Sequence, residues 1–237
     1  MNGSDWLKSL PNQPNAERNR AVLSAVESGL AVCTWVPIIS RHASNQAVFY
    51  VCEDAVYVPL ENGSRFRFQV TAKLAQSCAD LLDASLITSK VSDLAYAQAA
   101  IKVPATLLPA DALMATTAHS LAWNERVEKA RAGRAGLFRD CGKAWVLSNR
   151  LRGPGSAVNY GYYDSRAPYA NPQGIKLWQN LGARHDSSHQ DMSQTLLLMK
   201  STCEVDGQTM NVADVMTHPE LHPLISNEGI LKYTRQP

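Results

Sequence analysis

Leu177–Lys200 reads LWQNLGARHDSSHQDMSQTLLLMK. A polar segment with two histidines and two aspartates runs straight into Thr195–Met199, which has the apolar, strand-length character of a buried β-strand. Extended backwards, that strand puts Asp191, Ser193 and Thr195 on one face, because residues i and i+2 point the same way. His185 then sits on the loop that would fold over them. These spacings nominate His185 as a general base oriented by Asp191, with Ser193 as nucleophile or transition-state stabiliser. No Gly-x-Ser-x-Gly elbow surrounds Ser193, so a hydroxyl bonded to backbone at a strand end is the competing reading.

Working outward, Cys33–Ser40, Gln46–Cys52 and Ala55–Pro59 are β-branched and aromatic runs between polar breaks, and Asn62-Gly63 closes a hairpin between Ala55–Leu60 and Arg65–Val70. Ala144–Ser148 and Ala157–Tyr162 read as later strands, and Asp206-Gly207 marks another hairpin. Helices are expected over Ala16–Ser28 with Gly29 as its stop, over Ala72–Leu82 after a Thr71 cap, and after Thr88 or Ser89 up to the region before Pro104. His119–Ala132 and Val212–Thr217 complete the set. Helices and strands mix without regular βαβ alternation, which predicts an α+β domain over residues 16–237 with a mixed, mainly antiparallel sheet and flanking helices. Residues 1–15, rich in Pro and Asn, read as a draped or flexible arm.

The chain has 237 residues, 45% of them hydrophobic and 19% charged, enough to bury one substantial core. A formal charge of +2, spread along the chain, creates no field that would motivate nucleic-acid binding. Arg126–Arg139, the longest basic cluster, reads as the solvated face of a helix and its exit loop. No segment approaches 18 apolar residues, so no membrane insertion is expected. The N-terminus has no basic region followed by an apolar one, which predicts cytoplasmic synthesis; arrival at an envelope, or in a virion, would need a partner. Five cysteines without a CxxC pair fit free thiols.

Several patterns compete for chemistry. His185, His189 and Asp191 are possible metal ligands, but an exposed polar loop explains them as well, and no metal or other cofactor is expected. His218 and His222 lack the zincin order, and Pro219 suits a surface turn. Lys143 and Asn149 bracket a strand, and the following Arg150-Leu-Arg-Gly-Pro-Gly loop can present N–H groups and guanidinium to a carboxylate or phosphate. Tyr162, Tyr163, Tyr169 and Trp178 add aromatics suited to stacking on sugar or peptide, although aromatics at strand ends are often core.

The order Lys143-Ala-Trp-Val-Leu-Ser-Asn149, then Tyr160-Gly-Tyr-Tyr163, then His185 followed by Asp191-Met-Ser193-Gln resembles a poorly characterised family of bacterial proteins, many of them exported. Its pattern is a Lys-Asp-Val-Val-Ile-Ser/Thr-Asn strand, a Tyr-Gly-Trp-His strand, and a histidine before Asp-Tyr-Ser-His-Gly. The resemblance runs from Ala16 to Gly229 and keeps Lys143, Asn149, His185, Asp191 and Ser193. Tyr163 and Gln194 stand where that pattern has histidines. The resemblance imports no activity of its own.

Together these readings predict a hydrolase-like domain acting on an amide or glycosidic bond of a cell-envelope polymer such as peptidoglycan. His185, Asp191, Ser193 and Lys143 would be catalytic, and Asn149, Tyr162, Tyr163 and Trp178 would line the cleft. The alternative is a non-enzymatic phage structural, assembly or binding protein, in which the same loop docks a protein partner.

Overall fold

Side-chain caps set where the helices begin in the computed structural model, which describes residues 1–237. Asn2, Asn15, Thr71, Thr88 and Thr116 accept the backbone N–H groups of Asp5, Arg18, Leu74, Val91 and His119. Each such cap satisfies an orphan donor and is typically worth about 1 kcal/mol. They open α1 (Gly3–Ser9), α2 (Ala16–Glu27), α3 (Ala72–Leu81), α4 (Ser89–Gln98) and α5 (Thr117–Arg131); α6 (Val212–Thr217) follows later. Helix α5 starts two residues before its expected His119, because Thr116 is the threonine that caps it. None of these helices is long and apolar enough to cross a membrane.

The strands are β1 (Trp35–His42), β2 (Asn45–Cys52), β3 (Tyr57–Pro59), β4 (Arg65–Arg67), β5 (Ala84–Leu86), β6 (Ile101–Lys102), β7 (Phe138–Arg139), β8 (Lys143–Trp145), β9 (Asn159–Tyr163), β10 (Tyr169–Ala170), β11 (Lys176–Gly182), β12 (Leu198–Val205) and β13 (Gln208–Asn211). The fold is α+β and mainly antiparallel, but its strands divide between two principal sheets. One runs β1-β2-β12-β13 with β5 also on β12; the other runs β10-β11-β9-β8. Strands β3 and β4 form the hairpin expected around Asn62-Gly63, and β6 and β7 are the parallel exception. A contiguous core of 56 residues extends from Trp6 to Leu231, with Phe49, Phe138, Trp123 and Trp145 fully buried in it.

Four local expectations are corrected. Thr195–Met199 becomes a strand only at Leu198, because Asp191–Gln194 is a turn closed by Gln194 N–H on the Asp191 carbonyl. Leu196 and Leu197 are buried without belonging to a ladder, which an apolar run cannot reveal by itself. Conversely, Leu177–Gly182, the head of the polar segment and not counted among the strands, is strand β11, whose half-exposed, polar face hid its period. The basic cluster is not wholly solvated: Arg131 and Arg139 are buried, Arg139 donating to the carbonyls of Cys52, Glu53 and Phe138. The N-terminal arm is draped rather than free, since α1 docks with Trp6 buried against Phe66 and Phe68.

Candidate functional site

The loop from Ala183 to Leu197 links the two sheets, and two tight turns shape it. Asp186 accepts the Ser188 N–H at 2.7 Å in the first, and Asp191 accepts the Ser193 N–H at 2.9 Å in the second. Aspartate favours such turns because its side chain mimics a backbone acceptor two residues on. The first turn brings His185 and His189 face to face, ring centroids 3.8 Å apart and 12° from parallel. Gln190 anchors the loop from beneath, accepting from the buried Arg18 at 2.8 Å and donating to the Gln69 carbonyl at 2.7 Å.

Asp191 is the hub. Its Oδ1 accepts from Ser193 Oγ at 2.7 Å and its Oδ2 from Lys143 Nζ at 2.6 Å, while His189 Nε2 lies 3.7 Å from Oδ2. Backbone bonds lock Lys143 in place: its N–H donates to the Ser193 carbonyl, and its carbonyl accepts from Thr195. Gly142, at φ +113°, lets these segments approach, because a Cβ there would fall 2.4 Å from the Ser193 carbonyl oxygen. Burial alone would raise the Asp191 carboxyl, but the His189 ring, Lys143 and Ser193 outweigh it and hold it well below the usual carboxylate range. His185 is shifted down from 6.5, first by partial burial and then by the neighbouring His189 and Lys143, so it is neutral at pH 7 and able to accept a proton.

The sequence-nominated residues therefore separate into groups. Lys143, Asp191 and Ser193 come together, but Ser193 meets Asp191 within a turn, not along a strand, and its buried hydroxyl donates to a carboxylate rather than to a histidine. His189, not His185, is the imidazole nearest Asp191. His185 instead lines a groove of about 700 Å³ together with Trp178 and Asn149. The Asn149 side chain is committed elsewhere, donating to the carbonyls of Glu228 and Ile230 and accepting from Lys232 N–H.

Tyr162 and Tyr163 do not line the groove. Tyr162 is buried, bonded to the Thr106 carbonyl and to Trp123 Nε1. Tyr163 is buried on the other side, its hydroxyl on Ser92 and Asp93 and its ring stacked on Tyr96. Tyr160 also reaches Asp93, although strand alternation would put residues 160 and 163 on opposite faces. Consecutive positive φ values at Gly161 (112°) and Tyr162 (67°) break the alternation. Gln194, at the other position where the resemblance has a histidine, is fully buried with neither amide atom bonded.

Residues absent from the sequence reading of the site complete the groove. Arg184 precedes His185, and its adjacency to that histidine was the one available signal. Asn159 had none, because only the pairing of β9 with β11 brings it there. His, Cys, Asp and Glu side chains nowhere gather in threes at metal-ligating distance.

Comparison with family models, with curated proteins and with solved structures finds no match. The geometry has to carry the functional reading.

Proposed function

We propose that the chain is a hydrolase-like domain acting on a cell-envelope polymer, with His185 as general base at the wall of the arginine-lined groove. The observation that carries this reading is the position of His185: a neutral imidazole facing the groove and packed on a second imidazole that approaches a buried, ionised carboxylate. A base of this kind takes a proton from water as the water attacks an amide carbonyl or an anomeric carbon, and the imidazolium so formed returns that proton to the departing nitrogen or oxygen as the C–N or C–O bond breaks. Guanidinium groups in the same groove are suited to the negative charge that develops on the oxygen of a tetrahedral intermediate. Asp191 acts at one remove: it fixes the loop and biases the histidine pair, while Lys143 and Ser193 hold Asp191. The exported character of the family that the motifs resemble points to the envelope as the place of action, and peptidoglycan is its most abundant polymer with both bond types.

Purified peptidoglycan tests this directly, by turbidity and by release of reducing ends and free amines. Wild type should clear it, and His185→Ala should lower the rate roughly 100-fold or more while melting unchanged. No release by wild type, or equal rates for both proteins, would sink the reading.

The second reading, a binding or assembly protein without catalysis, is favoured by one observation: Asp191 is already satisfied by Lys143 and Ser193, as in a purely structural clamp. Binding to the polymer or to a protein partner without product release would select it.

A further inference from the structure

The groove holds features that proton transfer at His185 does not use. Asn159 lines it, is fully buried, and leaves both its amide donors and its amide oxygen unbonded. Buried amides in folded proteins are almost always matched, so an orphan that lines a groove calls for a partner from that groove. Strands β9 and β11 pair Asn159 with Gly182, where a Cβ would lie 3.3 Å from Asn159 Oδ1 and 2.9 Å from Gln179 Nε2. Any side chain at 182 would therefore crowd this amide and that of Gln179.

Charge points the same way. Arg150, Arg152 and Arg184 line the groove, and no aspartate or glutamate does. The arginines that form ion pairs elsewhere are Arg65, Arg67, Arg131, Arg166 and Arg235, none of them in this groove. All three are exposed; Arg150 donates to the Leu181 carbonyl, which ties its guanidinium to β11, whereas the guanidinium groups of Arg152 and Arg184 bond to no protein group. Unpaired guanidinium groups in a concave wall attract anions and can grip a carboxylate or phosphate in a two-point fork. Trp178 and Tyr169 line the same groove, offering flat apolar faces beside the polar donors. Guanidinium for an anion, an amide offering donor and acceptor together, and aromatic faces are the complement of a sugar that carries a charge.

We infer that this groove binds an acidic saccharide, a sugar unit bearing a carboxylate or a phosphodiester. Arg152 and Arg184 take the anion, Asn159 meets a hydroxyl or an N-acetyl amide, and Trp178 and Tyr169 pack on the sugar. The inference names the substrate class of the hydrolase-like reading and shares its site, but equilibrium binding does not require cleavage.

Calorimetric titration of the full chain with three probes tests it: a soluble muramyl peptide carrying carboxylates, a teichoic-acid fragment carrying phosphodiesters, and neutral chitotriose. At least one acidic probe should bind about tenfold or more tightly than chitotriose, with that preference shrinking as salt rises. The Arg152→Ala/Arg184→Ala double variant should lose the preference while keeping the wild-type melting temperature. Whichever acidic probe binds more tightly identifies the anion. Equal affinity for all three probes, binding of none, or a double variant that keeps the preference would overturn the inference. Acidic-probe binding without polymer clearing would leave the groove standing and remove the hydrolase; clearing without acidic preference would do the reverse.

Discussion

Asp54 and Asp191 are both buried carboxylates held ionised by cations, yet their surroundings end differently. Asp54 receives Arg67 Nε and Nη2 at 2.6 Å each and Arg65 Nη1 at 3.1 Å, and Arg67 passes on to Glu128 at 2.7 Å. The network is closed to imidazole and groove, ending on Arg65 and Glu128 and leaving Arg67 Nη1 without a partner: burial would raise the Asp54 carboxyl, but Arg67 and the other arginines hold it down. Asp191 takes Ser193 on Oδ1 and Lys143 on Oδ2, and the same Oδ2 faces His189, which stacks on His185 at the groove. A closed network can only hold the fold, whereas an open one can transmit its charge to a solvent-facing ring.

The largest expected effect belongs to the closed network. Arg67→Ala leaves Asp54 buried without its principal partner and should cost roughly 3–5 kcal/mol in urea unfolding. Lys143→Met strands Asp191 in the same sense, but a partly solvated lysine and two bonds from Ser193 limit the loss to about 2 kcal/mol. Equal losses for the two variants would erase the distinction between the networks.

Acid sharpens the comparison. The folded-state pKa of Asp191 lies below its ordinary 3.8, so its contribution is fully present above that value and is lost as pH falls through the folded pKa. Urea midpoints of Asp191→Asn should accordingly fall less steeply than those of wild type below pH 4; parallel slopes would place the shift elsewhere.

His185 reports whether the open network reaches the groove. Its imidazole should titrate below 6.5 by NMR, lower still in Asp191→Asn and higher in Lys143→Met, because the carboxylate raises and the ammonium lowers it. Since the folded pKa is depressed, its small contribution to stability is present above pH 6.5 and fades as pH drops below it. Identical titrations in all three proteins would mean that Asp191 and His185 are uncoupled. The smallest stability effect is that of His185→Ala itself, within about 0.5 kcal/mol for a half-exposed side chain, which isolates its expected loss of polymer clearing from any loss of fold.

Much of this architecture was legible because it depends on local chemistry. Thr71 and Thr88 cap the helices that follow them, Val212–Thr217 is a helix as expected, and Asp206-Gly207 joins β12 to β13. Strand parity was the weaker guide. It assumed extended backbone through Asp191–Thr195, where an aspartate turn intervenes; at Gly161 and Tyr162 two positive φ angles break the alternation as well, so that Tyr160 and Tyr163 both reach Asp93. One misplaced turn reverses the face of every side chain around it.

The sequence by itself determined the fold class, five of the six helices, the β1–β2 and β3–β4 strand runs, and the joining of Lys143, Asp191 and Ser193 in one neighbourhood. It could do so because caps, turns and apolar runs act over a few residues, and because the motifs singled out those three positions together. Only the tertiary structure decided that His189 stands between His185 and Asp191, that Asn149 clips the C-terminal segment, and that Asn159 and Arg184 share a groove with Arg150 and Arg152. Those contacts depend on how β11 registers against β9 and on where the loop to β12 turns, long-range pairings that no local window of residues contains.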